Sequence, residues 1–354
     1  MNTQVGLKQF RNNGCVSYLI YDRQTKETVV IDPDATLLDE YAHFLSHSEL
    51  KPIWVLDTHI HADHFSATHL FGQEFQSEIG MSHLTQSKRP TKFLKTGDKI
   101  NFGAHELTVL ETPGHTPDSL SFIGDGIVFT GDSLFIGSTG RTDFPGADAS
   151  QQWESIHKIF EQLPKSTVVL PAHDYNDYLF STLEVEIQKN AHLLKSKEEF
   201  ISFKKLESIV ASDDEIKKRI EFNLAKNPTP PEVMGECATS CGMPSKDTVS
   251  FKNIGPQEYL PVIKEKADGV AFIDVREAEE FEAGHIPGTQ NIPMSELGLH
   301  LSELRKSTKI YMSCLSGGRS SYTSKTLSYL GFSDVTNISG GFRGWVMTGL
   351  PIEK

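Results

Sequence analysis

Between His59 and His64 the stretch Thr58-His59-Ile60-His61-Ala62-Asp63-His64 packs three imidazoles and one carboxylate into six residues, immediately after the apolar run at 54–56. Such density is costly to bury unless something binds there. Three more candidates follow apolar runs in the same way: His115 in PGHT after 107–112, Asp132 in TGDS after 127–130, and His173 in PAHD after 168–170. If those runs are strands of one sheet, their loops converge on one rim and the donors surround a metal. The chain must therefore build an α/β layered domain with its strand ends aligned.

The remaining pattern fits that layering. Residues 16–32 form two β-rich runs around the polar turn 22–26, a hairpin by pattern, with Cys15 opening the strand as a small core residue. Trp153, Ile156, Phe160 and Leu163 fall at helical spacing over 151–163. A charged helical region at 182–226 runs into the prolines of 227–231, which stop it. Regular structure resumes near Val249, with strands at 270–274 and 309–313 and an amphipathic helix at 320–330. At 354 residues the chain exceeds what one core organises. We expect domains at 1–243 and 251–354, joined by a linker at 244–250.

Composition narrows the function. With 34 Lys and Arg against 47 Asp and Glu, the net charge of −13 argues against nucleic acid and anionic membranes as partners. The N-terminal residues lack a basic stretch followed by an apolar core, and no apolar run reaches the length of a membrane span. Four cysteines, Cys15, Cys237, Cys241 and Cys314, are too few for a disulfide scaffold. A cytoplasmic location is the expectation.

At HxHxDH and the later His, Asp and His, the sequence resembles the metallo-β-lactamase superfamily, which implies an αββα sandwich. That ligand set is shared by zinc hydrolases, iron flavoproteins and iron dioxygenases, so it leaves the reaction open. Gly140-Arg141-Thr142-Asp143-Phe144, beginning eight residues beyond Asp132, resembles the signature of persulfide dioxygenases. The resemblance covers about 5–243 and implies one Fe(II) per chain on His59, His115 and Asp132. His61, Asp63, His64 and His173 would then orient those ligands or hold a second metal. Arg141 and Asp143 are expected to pair and shape the loop beside Asp132. Arg219 and Cys241 are candidates to lie near the substrate thiol.

The second constellation is Cys314-Leu315-Ser316-Gly317-Gly318-Arg319, set between the strand at 309–313 and the helix that follows. Successive loop amides and the helix N-terminus stabilise an anion at the cysteine sulfur, which makes Cys314 the candidate nucleophile. With Phe272-Ile273-Asp274-Val275-Arg276-Glu277, Gly284-His285-Ile286-Pro287-Gly288 and Gly340-Gly341-Phe342-Arg343-Gly344-Trp345, about 250–354 resembles the rhodanese family. That implies sulfane-sulfur transfer through Cys314, with Gly317, Gly318 and Arg319 stabilising anionic groups. Phosphatases of the same fold carry one more residue between Cys and Arg, so the shorter loop favours sulfur.

Together the two halves imply oxidation of a low-molecular-weight persulfide, such as glutathione persulfide, by O2 to sulfite and thiol, coupled to transfer among thiosulfate, thiol and persulfide. Two alternatives stay open: a zinc thioester hydrolase of glyoxalase II type with an appended rhodanese, and a non-enzymatic persulfide carrier. The physiological thiol and the oligomeric state, a homodimer among the options, are not fixed by sequence.

Overall fold

A computed structural model describes residues 4–207, 213–228, 249–265 and 269–354. The chain divides into two compact units, 1–176 with 182–245, and 177–181 with 246–354. The expected boundary at 243 and most of the expected linker lie outside the described residues.

Residues 5–182 form two six-stranded sheets. One runs in sequence order through β1 (Val5–Asn12), β2 (Cys15–Asp22), β3 (Glu27–Ile31), β4 (Lys51–Leu56), β5 (Glu78–Ser82) and β6 (Lys92–Leu94). The other holds β7 (Lys99–Phe102), β8 (His105–Glu111), β9 (Leu120–Gly124), β10 (Ile127–Gly131), β11 (Val168–Pro171) and β12 (Ser181–Thr182). β2 is buried along its whole length, as expected of a strand covered on both faces. The hairpin to β3 turns on Asp22, whose Oδ1 accepts from the amides of Gln24 and Thr25. β1, which lies outside the hairpin expected at 16–32, pairs antiparallel with β2 along all eight residues around the two-residue turn Asn13-Gly14.

The sheets face one another: the Tyr18 ring packs edge-on against Phe129 at 5.1 Å, and its hydroxyl donates to the Pro171 carbonyl. Helices cover the outer faces. Tyr41 and Leu45 of α1 (Leu38–His47) and Phe71 of α2 (Thr68–Glu74) join the core of the first sheet. Ile156 and Ile159 of α3 (Ala149–Gln162), Leu183 of α4 (Leu183–Lys189) and Phe200 of α5 (Lys197–Leu206) join that of the second. This is the αββα sandwich expected. The expected single helical region at 182–226 is instead cut into α4, α5 and α6 (Asp213–Leu224). Local capping explains the break after α4, since Ser196 and Glu199 form a capping box that starts α5 afresh.

One expectation needs correcting. The loops carrying the candidate donors do not leave one sheet: β4 belongs to the first sheet, and β8, β10 and β11 to the second. Backbone bonds tie the two sets of loops together, from Leu120 N to Thr58 O at 2.7 Å and from Val16 N to Ala172 O at 2.7 Å. The rim is therefore shared by both layers.

The second unit is a five-stranded, wholly parallel sheet with β13 (Lys252–Ile254), β14 (Val270–Asp274), β15 (Gln290–Asn291), β16 (Lys309–Ser313) and β17 (Val335–Ile338) in the order β13-β17-β16-β14-β15. Tyr259 and Ile263 of α7 (Pro256–Glu265) and Trp345 form one cluster with Ile286, Tyr311 and Ile338. Two more helices follow α8 (Ala278–Glu282): α9 (Gly318–Tyr329) and α10 (Gly341–Met347). Among the described residues no helix is long and apolar enough to cross a membrane.

Candidate metal centre and sulfur-transfer cradle

The geometry at the rim sets the tautomers of two imidazoles. Thr58 donates its hydroxyl proton to Asp32 Oδ2 at 2.9 Å, so toward His59 Nδ1, 3.0 Å away, it can only accept. His59 thus carries its proton on Nδ1 and a lone pair on Nε2. His115 donates Nδ1–H to the Arg141 carbonyl at 2.7 Å, which likewise leaves Nε2 a lone pair. Burial pushes the pKa of both rings down and keeps them neutral.

Both lone pairs face Asp132 Oδ2, at 3.8 Å from His59 Nε2 and 3.5 Å from His115 Nε2. Among the described residues, His59 Nε2 and Asp132 Oδ2 have no hydrogen-bond partner although they are buried. Three acceptors converge with no proton between them, which is a donor set that a cation satisfies.

The neighbouring groups are bound differently. His173 spans two carboxylates, Nδ1 to Asp132 Oδ1 at 2.6 Å and Nε2 to Asp63 Oδ2 at 2.9 Å. Burial opposes its charge, but Asp132 and Asp63 prevail and hold its pKa up at about 10. Asp132 is correspondingly pulled below the usual carboxylate range against its burial, chiefly by His173. His61 sits 3.0 Å from Asp32 Oδ1, and His64 Nδ1 lies 2.8 Å from Asp63 Oδ2.

In the second unit Cys314 directly follows β16 at the carboxyl end of the parallel sheet, where the loop to α9 curls over it. Gly317, at φ +98°, turns its amide onto the Cys314 sulfur at 3.1 Å, and the Ser320 hydroxyl lies 3.3 Å from it. The Cys314 carbonyl receives the Phe342 amide at 2.7 Å, and a Cβ on Gly341 would strike that carbonyl at 2.2 Å. That clash accounts for Gly341, and a φ of +78° accounts for Gly340 beside it.

Two family models match: the metallo-beta-lactamase superfamily over residues 11–173 and the rhodanese-like domain over 259–348. The mitochondrial persulfide dioxygenase ETHE1 of Mus musculus is 33% identical over 197 residues, which span 55% of this chain and 78% of that protein. The chain belongs to the persulfide dioxygenase family. It carries, in addition, a C-terminal rhodanese-like domain. The crystal structure of ETHE1 from Myxococcus xanthus is 31% identical with a TM-score of 0.59, covering 62% of this chain and 97% of that one. A structure titled metallo-beta-lactamase from Staphylococcus aureus subsp. aureus COL, 25% identical with a TM-score of 0.58, covers 96% of this chain and 99% of that one. Glyoxylase B2 of Dictyostelium discoideum also matches, 27% identical over 256 residues, 60% of this chain and 87% of that protein.

Around the dioxygenase-family site the GRTDF loop leans on His115. The Arg141 guanidinium pairs with the Asp143 carboxylate and lies 4.6 Å over the Phe144 ring, which meets His115 edge-on at 5.5 Å. Gln152 and the buried Lys204 grip the Gly140 carbonyl at 2.9 and 3.0 Å. Arg219 is not the solvated helix charge its sequence context suggests: it is buried, with its guanidinium 5.9 Å over Phe65 beside the histidine loop. Cys241 lies outside the described residues.

Some neighbours of the site had no sequence signal. Cys15, expected as an ordinary core residue, brings its sulfur within 3.0 Å of Asp63 Oδ2 and 3.3 Å of His173 Nε2. Asp32 anchors both Thr58 and His61. In the rhodanese-like domain, Ser320 likewise carries no sequence signal for its place beside the Cys314 sulfur. Arg319 makes no hydrogen bond to Cys314; Glu280 holds its guanidinium at two points, 2.6 Å each. Gly318 begins α9, and a Cβ there would meet nothing within 4 Å.

Proposed function

We propose that this chain oxidises a low-molecular-weight persulfide at a single ferrous ion held by His59, His115 and Asp132, and moves sulfane sulfur through Cys314. The reading is carried by the two Nε2 lone pairs that meet Asp132 Oδ2 with no proton among them. When bound there, a ferrous ion supplies redox chemistry and open coordination positions, which zinc would not match for oxygen chemistry.

The residues of the chain prepare the reaction. Thr58 and the Arg141 carbonyl fix His59 and His115 in the tautomer that leaves Nε2 available, and His173 holds the other oxygen of Asp132. Phe144 and the Arg141–Asp143 pair stand beside His115 and brace the loop against its ring. The overall balance is RSSH + O2 + H2O giving RSH, sulfite and two protons. At Cys314 the thiolate attacks the outer sulfur of thiosulfate, the S–S bond breaks with sulfite leaving, and the enzyme persulfide then passes its outer sulfur to an acceptor thiolate. The Gly317 amide donates to the sulfur and stabilises the negative charge that returns to Cys314, while Ser320, close to that sulfur, gives its proton to Asn337 Oδ1 at 2.7 Å.

A thioester hydrolase with two metals is the second reading, favoured by the likeness to glyoxylase B2 and by the further donor groups of His59, His61 and Asp63 and of Cys15, Asp63 and His64. Against it, both nitrogens of His173 already serve carboxylates. Metal analysis of anaerobically purified protein, followed by oxygen uptake with glutathione persulfide, separates them. One iron per chain with uptake is expected. Two metals with lactoylglutathione hydrolysis and no uptake would overturn the proposal.

A further inference from the structure

The loop that carries four of the candidate donors is held by one side chain from far along the sequence. Asn223, near the end of α6 and buried, donates both hydrogens of its amide, to His61 O and to His64 O at 2.9 Å each. Its Oδ1 accepts the Ser66 amide at 2.9 Å. Both carbonyls belong to buried residues, so without Asn223 they would face the interior unpaired. A single planar amide therefore fixes three peptide groups of the 61–66 segment relative to one another.

Asn223 is itself anchored. Buried Arg89 donates to Phe222 O at 2.6 Å and to Ala225 O at 3.1 Å, while another of its nitrogens reaches Ser66 O at 3.1 Å. The Ser87 hydroxyl donates to Asn223 O at 2.8 Å, and the Phe222 ring meets Phe65 edge-on at 4.9 Å. The end of α6 and the histidine loop thus form one rigid block. Metal donors must be held to within about 0.5 Å of their working geometry, and that demands fixed backbone as well as fixed side chains.

We infer that Asn223 is a positioning residue that sets the metal affinity and ligand geometry of the histidine loop, an inference that rests on the metal reading but not on the reaction. Asn223→Asp preserves shape, removes both donated hydrogens and sets an anion against two carbonyl oxygens. Asn223→Ala removes the bonds without adding charge and serves if the aspartate variant fails to fold.

The test uses the full chain, with far-UV circular dichroism to show that each variant is folded. Fe(II) affinity is read by chelator competition and ligand geometry by the visible spectrum of the Co(II)-loaded protein. We expect affinity to fall about 10- to 100-fold, with the aspartate variant worse than the alanine one, and the Co(II) bands to shift. A folded variant with affinity within about twofold of the parent and an unchanged Co(II) spectrum overturns the inference. If the parent binds metal but takes up no oxygen with glutathione persulfide, the proposed reaction fails while these titrations still decide the role of Asn223.

Discussion

Replacing Gly140 with alanine should open the metal site without touching a single donor atom. A Cβ at this position would lie 2.1 Å from the Asp132 carbonyl oxygen and 3.1 Å from His115 Nδ1. A carbon tolerates an oxygen at roughly 3 Å or beyond, so the loop and the end of β10 must part by about 1 Å. Two bonds cross that gap, Gly140 N to Asp132 O at 3.1 Å and His115 Nδ1 to Arg141 O at 2.7 Å. Overpacking of this kind costs about 1–3 kcal/mol of stability. A misplacement of 1 Å at a reacting centre costs about 100-fold in rate. The assay combines iron stoichiometry, a thermal melt and oxygen uptake with glutathione persulfide. Gly255→Ala, where an added Cβ meets nothing within 4 Å, is the control. Full iron occupancy in Gly140→Ala, with uptake within about threefold of the parent, would refute the packing argument.

Three further outcomes are expected. Cys314→Ser should abolish sulfur transfer from thiosulfate while leaving oxygen uptake with supplied glutathione persulfide unchanged; equal loss of both activities would show that the two chemistries are not separable. Glu280→Gln breaks the two-point pair on Arg319, and because both partners are about a third exposed its stability cost should stay below about 1 kcal/mol in a denaturant melt; a cost several times larger would mean that the pair is buried in solution. His192 lies under Phe203, between the Thr139 hydroxyl and Glu207, and burial first, then Lys204 and Lys195, depress its pKa from 6.5 to about 3. Its contribution is therefore intact above pH 6.5 and is lost as pH falls through 6.5 toward 3, by up to about 1.4 kcal/mol per pH unit. His192→Gln should flatten the acid side of the stability–pH curve, and parallel curves for variant and parent would contradict the assignment.

Much of this was legible in the residues themselves, since local chemistry writes local signals. Three imidazoles and a carboxylate crowded behind 54–56 announce a metal loop whatever the fold, because burying them otherwise costs too much. The Cys314 loop announces a cradle because a strand, two glycines and a helix start leave little else for the backbone to do there. Runs of alternating and continuous apolar residues located the strands before the candidate donors, β8 to β11 among them, to within a few residues.

Which groups meet across long separations depends on how the chain folds back on itself. No period or spacing says that β4 and β10 belong to different sheets, since either pattern is satisfied by burial on any partner. Asn223 reaches His61 across 162 positions, and Arg319 is taken by Glu280 from 39 positions away. A lone Asn, Glu or Cys carries no pattern of its own, so Cys15 reads as core until folding sets its sulfur against Asp63 and His173. Clustered donors already limit which chemistry the chain can hold before it folds. Folding decided how each donor is oriented, because hydrogen-bond direction depends on partners that proximity in the chain does not supply.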